Sequence, residues 1–221
     1  LGVIGPSGCG KTTTVRLILG LLQPDAGNIT VLGSSPKDFS KQERDVIGYL
    51  PQRFLLYPDL SIQENLNFSA SLYGEGFLER RGKINEALEL VQLKDVKTRV
   101  AKNLSGGMKK RLQLAAAILH QPKLILADEP TSGIDPVLRN NIWDYLRKYR
   151  DQGNTLLVTT QYIGEAIYCD IVAVMDHGRI LYVDTPENLY RKALGGEIIS
   201  ITVSEYQEEN LHAFLSTHQH V

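Results

Sequence analysis

An α/β fold with a mostly parallel sheet is predicted by two features of this chain. Short apolar runs recur at Leu1 to Gly5, Val46 to Leu50, Leu124 to Asp128, Thr155 to Thr160 and Ile171 to Met175, each short enough for a strand. Most of them are separated by stretches with helical apolar spacing, and strands alternating with helices pair in parallel through crossover connections.

The elements follow in order. After the first strand a Gly-rich loop leads into a helix expected from about Lys11 to Leu22, with Val15, Leu17, Ile18, Leu21 and Leu22 on its apolar face. Pro24-Asp25-Ala26-Gly27 reads as a turn. Asn28 to Gly33 reads as a further strand. From about Pro58 to His120 the spacing is helical almost throughout, with Ile62, Leu66, Phe68, Ile84, Leu88, Val91 and Leu93 as apolar positions. We therefore expect an inserted helical subdomain over about 53–120, ending in a helix from Gly106 to about Leu119. After Leu124 to Asp128, Pro136 opens a helix running to about Arg150. A helix over Ile163 to Cys169 and a strand over Ile180 to Val183 complete the core, and an antiparallel β portion is expected beside the parallel one. Leu194-Gly195-Gly196 reads as a linker between a core of 1–194 and the start of a C-terminal βα appendage over 195–221. The opening inside an apolar strand without Met reads as a fragment whose N-terminal strands are missing.

Composition narrows the function classes. The net charge of −1 gives no push toward nucleic acid, and no nucleic-acid partner is expected. Two cysteines, Cys9 and Cys169, lack metal-ligand spacing and are too few for a disulfide scaffold, so free thiols are expected. No stretch approaches the roughly 18 apolar residues that read as a membrane span. Service at a membrane would therefore run through a partner. The basic clusters Arg80-Arg81-Gly82-Lys83 and Lys109-Lys110-Arg111 read as solvated helix faces.

Two motifs carry chemistry. Gly5-Pro6-Ser7-Gly8-Cys9-Gly10-Lys11-Thr12 fits G-x-x-x-x-G-K-[ST] between a strand and a helix, the pattern of a P-loop NTPase. Its glycines let successive backbone N–H groups face a phosphate chain, and the helix N-terminus adds partial positive charge. Lys11 supplies a full charge, Thr12 a hydroxyl for Mg²⁺ and Thr13 a further contact. ATP with Mg²⁺ is the expected ligand pair. Further on, the apolar run Leu124 to Ala127 ends in Asp128-Glu129, which places two carboxylates at the sheet edge where α/β folds bind ligands. Asp128 would hold Mg²⁺ through its water shell, and Glu129 would act as general base on the attacking water.

Leu104-Ser105-Gly106-Gly107-Met108 before a helix resembles the signature motif of ABC ATPases, with Met108 in place of a final Gln, as in drug-exporter-type members. Ser105, Gly106 and Gly107 at a helix N-terminus form a second phosphate cradle without a lysine. Two half-sites in one chain imply a head-to-tail dimer with ATP between Lys11 of one copy and Ser105 of the other. The resemblance covers 1–194 and carries further expectations. Gln52 resembles the Q-loop glutamine that touches Mg²⁺ and couples the helical insertion to the nucleotide. Ser132-Gly133-Ile134-Asp135 resembles the D-loop that meets the partner subunit. Gly178 to Val183 resembles the closing hairpin. Gln161 stands where the family usually has a His near the γ-phosphate; it can donate an amide hydrogen bond but cannot become an imidazolium.

The resemblance implies the ATP-hydrolysing motor subunit of an ABC transporter, an exporter of drugs or other hydrophobic compounds. It would be cytoplasmic, lying peripherally at the membrane face against an integral-membrane permease. Tyr49, Phe54, Tyr57 and Leu60, near Gln52, fit either a patch for that permease or core packing. The competing readings are a soluble ABC ATPase acting on nucleic acid or the ribosome, and a catalytically weak regulatory ATP-binding subunit.

Overall fold

The computed structural model describes residues 1–74 and 76–194; the expected appendage over 195–221 lies outside the described residues. Among the described residues a six-stranded sheet organises the fold, built from β1 (Gly2–Ile4), β2 (Ile47–Leu50), β3 (Leu124–Asp128), β4 (Thr155–Thr160), β5 (Val172–Asp176) and β6 (Arg179–Asp184). Their order is β2-β3-β4-β1-β5-β6, parallel throughout except for the antiparallel β5–β6 pair. The mixed sheet agrees with the sequence expectation.

Strand β3 shows how the layers form. All five of its residues are buried. Leu124 and Leu126 face one layer with Val15, Phe39 and Ile47, while Ile125 and Ala127 face the other. That alternation is the period-2 geometry of a pleated strand covered on both faces, as parallel sheets require. The first layer contains α1 (Lys11–Ile18). The second, larger layer draws on α3 (Ile62–Leu72), α4 (Phe77–Leu90), α5 (Gly106–Ile118) and α6 (Pro136–Asp151). Short α2 (Lys41–Asp45) precedes β2, and α7 (Pro186–Leu194) follows β6.

Helix starts follow side-chain chemistry. Ser40 and Ser61 each form a reciprocal capping box, with Glu43 and Glu64 respectively. Asp135 caps α6 by accepting from the Leu138 N–H at 3.0 Å, with Pro136 in its first turn.

Three sequence expectations are corrected. Asn28 to Gly33 is not a strand. Only an isolated Val31–Ser34 bridge forms, across a tight turn in which Leu32 and Gly33 take φ of 53° and 85°. Consecutive positive φ values fold the chain back on itself instead of extending it. Helix α1 stops at Ile18 and does not reach Leu22. Gly20 takes φ 70° and the Leu21 N–H turns back to the Arg16 carbonyl, a left-handed helix stop that leaves Leu21 and Leu22 exposed. The segment Ile163–Tyr168 is 3₁₀, with i→i+3 bonds such as Glu165 N–H to Tyr162 O at 3.0 Å. Phe68 lies on α3 as its helical spacing implies, 39% exposed and edge-on to Tyr57 at 4.8 Å. The capping-box signal at Ser40 to Glu43 would have revealed α2, which periodicity missed because five residues are too few to show a period.

Candidate functional site

The loop between β1 and α1 is shaped by what its backbone lacks. Gly10 is the N-cap of α1, in the left-handed region at φ 111°, and no side chain caps the helix. Helices α2, α3, α5 and α6 all have a Ser or Asp oxygen occupying an early N–H. At α1 the early N–H groups keep that capacity for an anion, and no acidic residue stands in the first turn. Gly5 is enforced by packing, since a Cβ there would lie 2.1 Å from the Met175 carbonyl oxygen and 2.7 Å from Cys9 Sγ. Pro6, Ser7, Gly8 and Thr13 are exposed, whereas Cys9 and Lys11 are buried. Both cysteines are free thiols, as expected. The Cys9 carbonyl accepts from the Gly178 N–H at 2.8 Å, tying the loop to the β5–β6 hairpin.

Lys11 Nζ donates to the carbonyls of Gly5 at 2.7 Å and Pro6 at 2.9 Å, and lies 3.9 Å from Glu129 Oε1. The ammonium thus hangs between the loop and the acidic strand end. Asp128 is fully buried at 0% exposure. Its Oδ1 accepts from Thr159 Oγ1 and its Oδ2 from Thr12 Oγ1 at 2.7 Å. A buried carboxylate needs such partners. Here they orient it toward Thr12, the residue next to Lys11.

Glu129 has φ 49°, a left-handed backbone that is uncommon outside glycine. Its N–H donates to Thr159 O at 3.0 Å and lies 3.2 Å from Thr159 Oγ1, which pins the turn. Its side chain accepts from Gln52 Nε2 at 3.1 Å. Observed strain of this kind clusters at functional positions. The structure therefore brings Lys11, Thr12, Gln52, Asp128 and Glu129 into one connected group.

The other predicted residues lie around it. Ser105 caps α5, accepting from the Met108 N–H at 3.2 Å. With its oxygen so engaged, the hydroxyl proton remains able to donate outward. Ser105 and Gly106 are exposed, and a Cβ on Gly107 would lie 3.2 Å from the Gly133 carbonyl, so the 104–108 and 132–135 segments touch within one chain. Among the described residues, no hydrogen bond joins Ser105, Gly106, Gly107 or Asp135 to Lys11, Thr12, Asp128 or Glu129. Gln161 is exposed and borders a cavity of about 600 Å³ together with Gly5 and Pro6.

Sequence reasoning missed Lys110, Gln113 and Glu165. It took Lys110 for a solvated residue, yet it is only 6% exposed. Its Nζ donates to the carbonyls of Pro51 at 3.1 Å, Gln52 at 3.4 Å and Asp128 at 3.3 Å. Burial pushes its pKa down, and the Asp128 and Glu129 charges oppose that shift. Glu165, also buried, accepts from Thr131 Oγ1 and lies 3.7 Å from Arg139 Nε.

A mononucleotide cradle beside a paired acidic strand end defines the class, a P-loop nucleotide-binding domain. The chain belongs to the ABC transporter family, whose model matches residues 1–132. It is 38% identical over 216 residues to the linearmycin resistance ATP-binding protein LnrL of Bacillus subtilis, covering 97% of this chain and 70% of that protein. It is 34% identical over 217 residues to the probable multidrug ABC transporter ATP-binding protein YbhF of Escherichia coli. That match covers 98% of this chain, which spans only 38% of YbhF's length. Among solved structures, an ATP-binding subunit of an ABC transporter superimposes with a TM-score of 0.79 at 26% identity, covering 97% of this chain and 87% of that one. A dimeric ATP-binding cassette in a post-hydrolysis state with ADP and Pi gives 0.77 at 28% identity, covering 84% of each chain.

Proposed function

We propose that this chain is the ATP-binding and hydrolysing motor subunit of an ABC transporter that exports drugs or other hydrophobic compounds. One observation carries the proposal: the uncapped N-terminus of α1 and the Lys11 ammonium stand against a Thr12–Asp128–Thr159 chain centred on a buried carboxylate, with Glu129 held beside them by Gln52. The residues fit the ligands. Residues 5–13 wrap the phosphates, with backbone N–H groups and Lys11 as donors. Thr12, Asp128 and Gln52 would hold Mg²⁺, which when bound neutralises phosphate charge. Glu129 orients water and takes its proton. Gln161 donates an amide hydrogen bond to the γ-phosphate. Asp135 and its neighbours face the partner copy.

The separate placement of Ser105, Gly106 and Gly107 supports a composite site in which a second copy supplies them. A solved cassette similar to this chain is dimeric and holds ADP and Pi, which supports pairing of two copies. Closure of such a dimer would drive an integral-membrane permease at the cytoplasmic face. No described helix is long and apolar enough to cross a membrane, and the permease would supply the spans. Its docking surface would be a second cavity of about 500 Å³ bordered by Tyr49, Pro51, Leu55, Leu72 and Tyr73, where Leu55 and Leu72 are exposed. Of the other residues near Gln52, Tyr57 is exposed and Phe54 packs against the main core, and neither borders this cavity. The export direction rests on names: LnrL confers linearmycin resistance, and a Rhizobium etli relative is a Nod factor export protein, 38% identical over 201 residues.

The test is ATP turnover against protein concentration, with Glu129→Gln alongside. Turnover that rises faster than linearly and disappears in Glu129→Gln supports the composite site. ATP binding without turnover in either protein would favour a regulatory ATP-binding subunit, the reading that the exposed Gln161, without a hydrogen bond among the described residues, also admits.

A further inference from the structure

The backbone from Pro51 to Arg53 follows the end of β2 outside the sheet, with no strand partner for its carbonyls, which are partly buried under α5. Buried or half-buried carbonyls must find donors. Three successive ones find them on a single helix. Lys110 donates to Pro51 O and Gln52 O, and Gln113, one turn further along α5, donates to Arg53 O at 2.6 Å. Both side chains are buried, at 6% and 4% exposure. Lys110 also reaches the Asp128 carbonyl on β3. Side chains three apart on a helix share a face, so these two grip the loop as a pair.

The consequence is a division of labour at Gln52. Its backbone is held by α5, the helix that Ser105 caps. Its side chain holds Glu129, at the end of β3. We infer that Lys110 is a positioning residue. It locks the Gln52 backbone and the end of β3 to α5, so that displacement of the 105–107 segment moves the Gln52–Glu129 hydrogen bond and thereby aligns the base. The ammonium suits this role because it offers three donors from one point and has no acceptor atom that would need a donor in return. An apolar side chain of the same length would fill the space and leave the carbonyls unheld.

This inference rests on the proposed hydrolytic role of Glu129, and two arms keep the two separable. The kinetic arm measures kcat and KM for ATP in the natural protein and in Lys110→Met, Lys110→Arg, Gln52→Ala and the Lys110→Met/Gln52→Ala double variant. Lys110→Met is expected to lower kcat at least about tenfold with KM moved by less than about twofold. Lys110→Arg should recover most of the loss. The double variant should be no slower than the slower single variant, since both changes break one chain of contacts. A Lys110→Met kcat within about twofold of the parent, or effects that multiply in the double variant, would overturn the inference. The second arm is limited trypsin cleavage after Arg53 without nucleotide, read by mass spectrometry, and needs no turnover. Cleavage after Arg53, an exposed residue whose carbonyl is held by α5, should quicken at least about tenfold in Lys110→Met while cleavage after Lys123, ahead of β3, is unchanged. Unchanged cleavage after Arg53 overturns the pin even if hydrolysis is confirmed. Quickened cleavage in a protein that never hydrolyses ATP leaves the pin standing and removes the motor function. Lys110→Gln serves as the second variant if the Met replacement does not fold.

Discussion

Replacing Thr159 with Val removes one hydroxyl from the buried heart of the site and keeps its shape. That hydroxyl donates to Asp128 Oδ1 and lies within reach of the Glu129 N–H. The Glu129 amide keeps the Thr159 carbonyl at 3.0 Å, so only the carboxylate loses a partner. A hydrogen bond to a charged group contributes about 1.5–3 kcal/mol. The added methyl returns at most about 0.8 kcal/mol. The net loss is about 1–2 kcal/mol, a fall in midpoint of roughly 2–8 °C for a chain of this size. Urea unfolding monitored by circular dichroism measures it, with Thr159→Ser expected close to the parent. Thr12→Val removes the other donor to Asp128, but Thr12 is only half-buried, so water replaces it and the loss stays under about 1 kcal/mol. A Thr12→Val loss larger than that of Thr159→Val would refute the claim that burial makes the Thr159 hydroxyl the costlier one to lose.

Gly5→Ala puts a methyl against the Met175 carbonyl and Cys9 Sγ, and the Met175 backbone cannot yield. We expect a stability loss of about 1–3 kcal/mol and Mg-ATP affinity, read by calorimetry, reduced at least about tenfold. At the other end of the core, Asp184 accepts from Lys192, Asn188 and the Thr185 N–H, which hold its carboxyl at about 2, well below its ordinary value. A depressed acid stabilises the fold above its unfolded pKa and loses that contribution as pH falls through the folded one. Amides of α7 should therefore exchange faster as pH drops from 4 toward 2, after correction for intrinsic rates, and Asp184→Asn should abolish that step.

Much of this molecule is legible in the sequence because its signals are local. A Gly-rich loop between apolar strand and helix, or an apolar run ending in two acids, needs no distant information to be read. The place of Gln52 at the site was legible only through the family resemblance, and its hydrogen bond to Glu129 only through the fold. Lys110 was misread because Lys109-Lys110-Arg111 has the appearance of a charged surface, and only the fold shows which of the three turns inward. Residues 28–33 failed for the complementary reason. A strand requires a neighbour, and where the chain supplies a turn of two left-handed residues, strand propensity has nothing to pair with.

The order of the sheet has a consequence for synthesis. Strand β1 is flanked by β4 and β5, with Gly2 opposite both Val158 and Val172. Its two neighbours are translated about 150 residues after it, and at about 5–20 residues per second the gap is on the order of ten seconds or more. Through that interval the loop that follows β1 lacks the wall formed by Met175 and Gly178. A nascent chain therefore holds its nucleotide loop early and its nucleotide site late. Chaperones that shield apolar strands have their opening in that interval, and ATP can stabilise the domain only after the last third of it has left the ribosome.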